Sequence, residues 1–381
     1  MSPLPTVTEI LMDLIAIPSV SSASNRPIID YALEHLKPIQ WNFRMFPYLD
    51  LKGMEKVNLV ATPRKLFSTE AVELALVCHT DTVPYPDDWA EAVRPKVING
   101  RVYGRGACDV KGFLACILAA VGDLEVSEHS VAVAFTADEE IGCVGAKRML
   151  GERQLYARNA VVGEPTRLRP VVAGKGYALG EVAVRGKAAH SAFPQAGRSA
   201  ILDAATLIDS IRKVGRQAEM QRHERFDPPF TTINIGTISG GAAKNIVPAE
   251  CRFLVEWRPV PGQSERWIAD LIQEELALAQ RVDPGLQATF EAIRIDPGFE
   301  TDLQSKLVRE LERLSGNPAE TAAFGTEAPY LKKLGAETVV FGPGDMLAAH
   351  SSNENVPIAE LERCVEILRV LISRLAISSS E

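Results

Sequence analysis

Residues 131–140 read Val-Ala-Val-Ala-Phe-Thr-Ala-Asp-Glu-Glu, an apolar run that stops at three consecutive acids. The valine-rich run has the composition of a strand buried on both faces. Adjacent carboxylates repel one another unless water solvates them or a positive charge sits among them. Directly after a buried strand solvation is restricted, and a divalent cation is the natural compensation. A solvated acidic turn is the plainer alternative. The same pattern recurs, however. Glu73–Cys78 delivers His79 and Asp81, Ala160–Gly163 delivers Glu164, and Glu337–Gly342 leads through Pro343 and Gly344 to His350. Open α/β sheets bind ligands outside the carboxyl ends of their strands. Four strand-like runs, each feeding a metal-competent side chain, therefore point to one site at the mouth of one sheet.

A chain of 381 residues exceeds one ordinary domain, so two are expected. With 46% hydrophobic and 24% charged residues it has the balance of a soluble globular protein. The net charge of −8 and the lack of a Lys/Arg cluster argue against nucleic acid as a partner. The N-terminus has neither a basic region nor a long apolar one, which argues against a signal peptide. No apolar run approaches the roughly 18–20 residues of a membrane span. Six cysteines in so long a chain, none in a C-x-x-C pair, read as reduced and mostly buried thiols of a cytoplasmic protein.

Helices are expected over residues 5–16, with Thr6 or Thr8 as cap, and over 28–36 and 113–121; strands are expected over 58–62 and 72–78. Gly104-x-Gly106 resembles the start of a dinucleotide fingerprint, but no strand–GxGxxG–helix unit completes it. Asp109 closes that loop and, taken alone, suits a helix N-cap. The texture changes near Gly174. A strand over 177–185, a helix over 200–214, strands over 231–237 and 251–258, a helix over 265–280 and a strand over 287–295 follow. This β-α-β-β-α-β order is the ferredoxin-like arrangement, whose neighbouring ends allow insertion into a host domain. The expected fold is therefore α/β, with a catalytic domain in two parts, 1–174 and 296–381, around an inserted α+β domain at 175–295.

His79, Asp109, Glu140, Glu164 and His350 together supply two imidazoles and three carboxylates, a set that suits two zinc-like ions with one carboxylate shared. Asp81 lies two residues after His79, on the same face of an extended segment, where a carboxylate can orient the imidazole. Glu139 precedes the candidate ligand Glu140 and is placed to act as general base without being a ligand.

His79-Thr-Asp-Thr-Val-Pro84, Gly104-Arg-Gly106 through Asp109-Val-Lys-Gly112, Ala137-Asp-Glu-Glu140 and Gly163-Glu-Pro-Thr166 resemble the family of two-zinc amidohydrolases and metallopeptidases. That family includes aminoacylases, desuccinylases and glutamate carboxypeptidases, and the match covers nearly the whole chain. Gly325-Thr-Glu-Ala-Pro329 and Phe341-Gly-Pro-Gly344, followed by His350, are most similar to the acetylornithine deacetylases within it. Ser351-Ser-Asn-Glu-Asn355 departs from the His-Gln-Pro-Asp-Glu pattern of those enzymes.

The resemblance implies a mixed-sheet, zinc-peptidase-like catalytic domain carrying an inserted dimerisation and lid domain. It implies His79, Asp109 and Glu164 on one metal and Asp109, Glu140 and His350 on the other, zinc first and cobalt as the alternative. It implies Glu139 as base, Asp81 orienting His79, and His190 reaching a neighbouring subunit's site. Asn245 and Arg258 would hold the substrate's carboxylate, since a guanidinium takes a carboxylate in two parallel bonds. Glu327 would face the substrate's ammonium or shape its pocket. The expected reaction is metal-dependent hydrolysis of an N-acyl amino acid, N-acetyl-L-ornithine first, by a cytoplasmic homodimer. A desuccinylase or general aminoacylase, and a non-catalytic metal- or partner-binding protein on the same fold, are the alternatives.

Overall fold

The computed structural model describes residues 5–63, 71–122, 124 and 129–376; the Ser-rich tail lies outside the described residues. The chain forms two compact units. One comprises Met1–Val172, Glu300–Glu320 and Thr326–Glu381, the other Ala173–Phe299 and Thr321–Gly325.

Four parallel strands form the centre of the first unit, in the order Val131–Thr136, Val72–His79, Ala157–Val162, Glu337–Val340. Every residue of Val131–Thr136 is buried, and only one residue in each of Val72–His79 and Glu337–Val340 is not. This is why their sequences read as continuous apolar runs rather than alternating ones. Glu55–Thr62 and Asn42–Leu49 extend the sheet antiparallel on one side. Short strands at Val171–Gly174, Phe299–Glu300 and Glu320–Ala322 complete nine among the described residues. The edge strand Asn42–Leu49 is poorly visible in sequence because Pro47 interrupts it; an edge strand pairs on one side only and tolerates the missing N–H.

Helices Val7–Ala16, Lys111–Val121 and Ile358–Leu375 pack into one apolar core with the sheet. The first begins in a capping box: Thr6 Oγ accepts from the Glu9 amide at 3.2 Å, and the Glu9 carboxylate accepts from the Thr6 amide at 2.7 Å. Lys111–Val121 is buried all round except at Ala119, so it carries no polar face. Asp109 is not its N-cap. That position is Val110, with no side-chain cap bond, and the Asp109 carboxylate is directed elsewhere. None of the six cysteines forms a disulfide, and all are buried. No described helix is long and apolar enough to cross a membrane.

The second unit is a four-stranded antiparallel sheet in the order Thr232–Gly240, Glu250–Arg258, Tyr177–Arg185, Gln287–Asp296, with helices Ala200–Met220 and Trp267–Val282. Alternate residues Ala178, Val182 and Val184, and Cys251, Phe253, Val255 and Trp257, face a core shared with both helices. Ala200–Met220 runs further than its apolar pattern predicts. Ser199 caps it, accepting from the Leu202 amide.

Beneath the sheet's carboxyl edge lies a buried ion pair. Lys56 Nζ is 2.6 Å from Asp138 Oδ1, with both side chains 1% exposed, and it also donates to the carbonyls of Ser21 and Ala23. Tyr48 donates to the other Asp138 oxygen at 3.1 Å. Replacing Lys56 by Met leaves Asp138 charged and uncompensated in the interior. Urea denaturation of K56M is expected to show a loss of about 3–5 kcal/mol.

Candidate metal centre

Each of the four parallel strands ends beside the same point. His79 closes Val72–His79, and its backbone pairs with Thr136, the last residue of Val131–Thr136, three residues before Glu139. Glu164 stands two residues beyond Ala157–Val162. His350 follows Glu337–Val340 through a loop. Two glycines make the approach possible. A Cβ on Gly163 would lie 2.1 Å from Phe113 Cδ1, so the strand end before Glu164 sits directly on the buried helix. Gly344, with φ +93°, would place a Cβ 2.5 Å from Cys108 Cβ, in the loop that carries Asp109.

Asp109 is the hub. Its Oδ1 is 3.2 Å from His79 Nε2 and its Oδ2 is 3.1 Å from His350 Nε2. Glu140 Oε1 is 3.3 Å from the same His350 nitrogen. Two groups of candidate ligands result, His79–Asp109–Glu164 and Asp109–Glu140–His350, and within each the ligand atoms lie within 4.8 Å of one another. Asp109 is common to both, and Glu139 belongs to neither.

The ring of His79 is set by a backbone contact. Its Nδ1 is 3.0 Å from the Asp81 carbonyl, which can only accept, so Nδ1 keeps its proton and Nε2 is the nitrogen that has the lone pair when the ring is neutral. The Asp81 carboxylate, 3.6 Å from Nδ1, is the longer contact. That carboxylate instead accepts from Ser21 Oγ at 2.7 Å and from the amides of Glu139 and Glu140 at 3.0 and 3.3 Å. Asp81 thus fixes His79 through its main chain and the Glu139–Glu140 turn through its side chain.

The electrostatics call for positive charge. Burial pushes the Glu139 carboxyl up to about 8, and nearby Glu140, Glu327 and Asp81 add to this against the opposing pull of His79. Burial, then Asp109 and Glu139, carries Glu164 well above the usual carboxylate range. Burial opposes ionisation of Asp109 too, but the neighbouring imidazoles, His350 first and then His79, outweigh it and hold that carboxyl below its usual value. His79 Nε2 is buried without a hydrogen bond of good geometry. An orphaned imidazole nitrogen among carboxylate oxygens is a donor set that fits zinc-like divalent ions.

The acid triplet is sorted by contacts that sequence does not show. Asp138 belongs to Lys56 and Tyr48, and of the three acids Glu140 alone belongs to a candidate ligand group. Glu139 Oε1 accepts from the Cys143 thiol at 3.3 Å. Glu327 is fully buried; its Oε2 accepts from Thr136 at 2.9 Å, its Oε1 has no partner, and burial pushes its carboxyl up to about 7.

In the second unit His190 and Asn245 are brought together: the Ser191 amide donates to the Asn245 carbonyl at 3.0 Å, and His190 bridges to Ile246. Arg258 is elsewhere. Its guanidinium stacks on Tyr177 at 4.5 Å, at the opposite end of the strand that runs from Glu250 beside Arg185. Eight residues of strand separate those ends, about 25 Å. Lys56, Ser21 and Glu354 escape a reading by motif because each acts through contacts distant in sequence. The one visible signal was a lysine at the start of the buried strand Glu55–Thr62.

If Asp109 serves both cations and Glu164 only one, D109N should abolish high-affinity uptake of both equivalents of zinc, and E164Q should lose one. Calorimetric titration of metal-free protein counts them.

Residues 75–374 match peptidase family M20/M25/M40. The chain is 45% identical over 366 residues to an acetylornithine deacetylase of Myxococcus xanthus, covering 96% of both chains. It is 32% identical to an acetylornithine deacetylase of Proteus mirabilis, covering 98% of both. In fold it is similar to a tripeptidase of Staphylococcus aureus, with TM-score 0.76 and 23% identity over 97% of this chain and 98% of that one. It is also similar to a Bacillus subtilis protein described as a dinuclear metal-binding peptidase, with TM-score 0.67 and 15% identity over 96% and 98%. With its strand-end carboxylates and imidazoles set around a shared aspartate, the chain belongs to peptidase family M20/M25/M40 and is a hydrolase of amide bonds.

Proposed function

We propose that this hydrolase deacetylates N-acetyl-L-ornithine, giving acetate and ornithine, with Glu139 as the proton carrier and a two-cation centre on His79, Asp109, Glu140, Glu164 and His350. The observation that carries the chemistry is the position of Glu139, next to Glu140 in sequence yet outside both ligand groups. The substrate reading rests on near-full-length similarity to acetylornithine deacetylases. Divalent ions held by these residues, zinc first and cobalt as the alternative, would polarise the amide carbonyl and make water more acidic.

Glu139 takes the proton of the attacking water as the water oxygen bonds to the carbonyl carbon. The same carboxyl then returns the proton to the amine nitrogen as the carbon–nitrogen bond breaks. The Asp81 carboxylate, holding the Glu139 and Glu140 amides, keeps base and ligand in register. His190 is assigned to the oxyanion. Its Nδ1 accepts from the Ala192 amide at 3.1 Å, so its proton sits on Nε2, free to donate.

His190 is assigned to the site of a second copy, and Asn245 and Arg258 to the substrate's carboxylate. The edge strand Thr232–Gly240, together with exposed Phe193, Leu202, Ile238 and Ile246, supports pairing through this unit as a homodimer. Glu327 is assigned a shaping role from beneath the pocket.

E139Q should keep both equivalents of metal and lower kcat by about 10²–10⁴-fold; turnover near wild type would remove Glu139 from its role. A panel of acetylornithine, acetylcitrulline, acetylmethionine and succinyl-diaminopimelate tests the substrate. The highest kcat/KM is expected for acetylornithine, and a preference for the succinyl substrate would replace this reading by desuccinylation.

A further inference from the structure

The Asp109–Glu140–His350 group draws on two loops that no strand pairing fixes at the ligands themselves. Asp109 follows the short strand Arg101–Tyr103, and His350, half exposed and at φ +59°, stands in the turn before Asn355–Pro357. One side chain ties the loops together. Glu354, four residues after His350, is fully buried. Its Oε1 accepts from the amides of Cys108 and Asp109 at 3.2 and 3.1 Å. Its Oε2 accepts from Arg105 Nη1 at 2.8 Å, and its backbone carbonyl accepts from the Gly104 amide at 3.1 Å. Arg105 is itself buried, with its guanidinium 4.9 Å above the Trp89 ring. A buried carboxylate that accepts two amides and a guanidinium forms a set of charge-assisted bonds that holds only in one geometry.

We propose that Glu354 is the positioning residue of the second cation site, holding the backbone of Asp109 at a fixed distance from His350. It touches neither substrate nor cation. It acts by keeping Asp109 Oδ2, at 3.1 Å from His350 Nε2, converged on one point. The assignment rests on Asp109, Glu140 and His350 being ligands. Glutamine at 354 can still accept from one loop, but its amide nitrogen must then face either Arg105 or the two backbone N–H groups, all of them donors.

Metal-free wild type and E354Q are titrated with Co(II), followed by calorimetry and by the visible absorption of the bound ion. Wild type should take up two equivalents. E354Q should keep the first near wild-type affinity and bind the second about 10–100-fold more weakly. Its kcat should fall at limiting cobalt and recover in excess, with KM unchanged. E354D keeps the buried charge but shortens the reach to the amides, and it should show the same selective loss; it covers the case in which E354Q does not fold. Equal affinities in variant and wild type, or equal weakening of both equivalents, overturn the proposal. Wild-type protein taking up fewer than two equivalents overturns the ligand reading itself, and this assignment with it.

Discussion

Negative charge gathered in a place with little water is the constraint that organises this molecule. Asp109 lies between two imidazole nitrogens, at 3.2 and 3.1 Å, with Glu140 and Glu164 closing the two sides. Such a cluster is unfavourable in isolation, because burial penalises every carboxylate and each raises the others. The displaced proton affinities of Glu139 and Glu164 measure that tension. Cations relieve it, and a structure built to hold the cluster together is therefore a structure built to bind them.

The scaffold answers with two kinds of restraint. Four parallel strands bring the ligand-bearing segments to a common edge, which sets position to within a residue. Buried hydrogen bonds then set orientation. The Asp81 carbonyl fixes the His79 tautomer and the Asp81 carboxylate grips the Glu139–Glu140 turn, while Lys56 draws Asp138 away from the centre. Because these partners are enclosed, each bond is strong and each loss is costly. Neighbouring residues in the acid triplet consequently sit in different surroundings: Asp138 neutralises a lysine, Glu140 joins a candidate ligand group and Glu139 is buried beside it without joining either group.

The division of labour between the units follows from the same logic. The first unit gathers the candidate ligands and Glu139 from rigid strand ends. The second presents His190 beside Asn245 at one end of its sheet and Arg258 at the other. Among the described residues the edge strand Thr232–Gly240 pairs on one side only, with Glu250–Arg258.

Much of this was legible in the chain itself. Parallel, doubly buried strands betray themselves as continuous apolar runs, so Val131–Thr136 and its neighbours, and the side chains they deliver, could be read directly; the alternating strands of the second unit were equally plain. What sequence could not supply was pairing across long separations. That Asp109 faces two imidazoles instead of capping a helix depends on His79 and His350, which lie 30 residues before it and 241 after. That the Asp81 carboxylate serves backbone amides, that Glu327 is sealed from solvent and that Glu354 clamps a loop are all outcomes of packing. A side chain's type and local period are written in its neighbours along the chain, whereas its hydrogen-bond partner is chosen only when the folded core brings donors and acceptors to one place and excludes water from the alternatives.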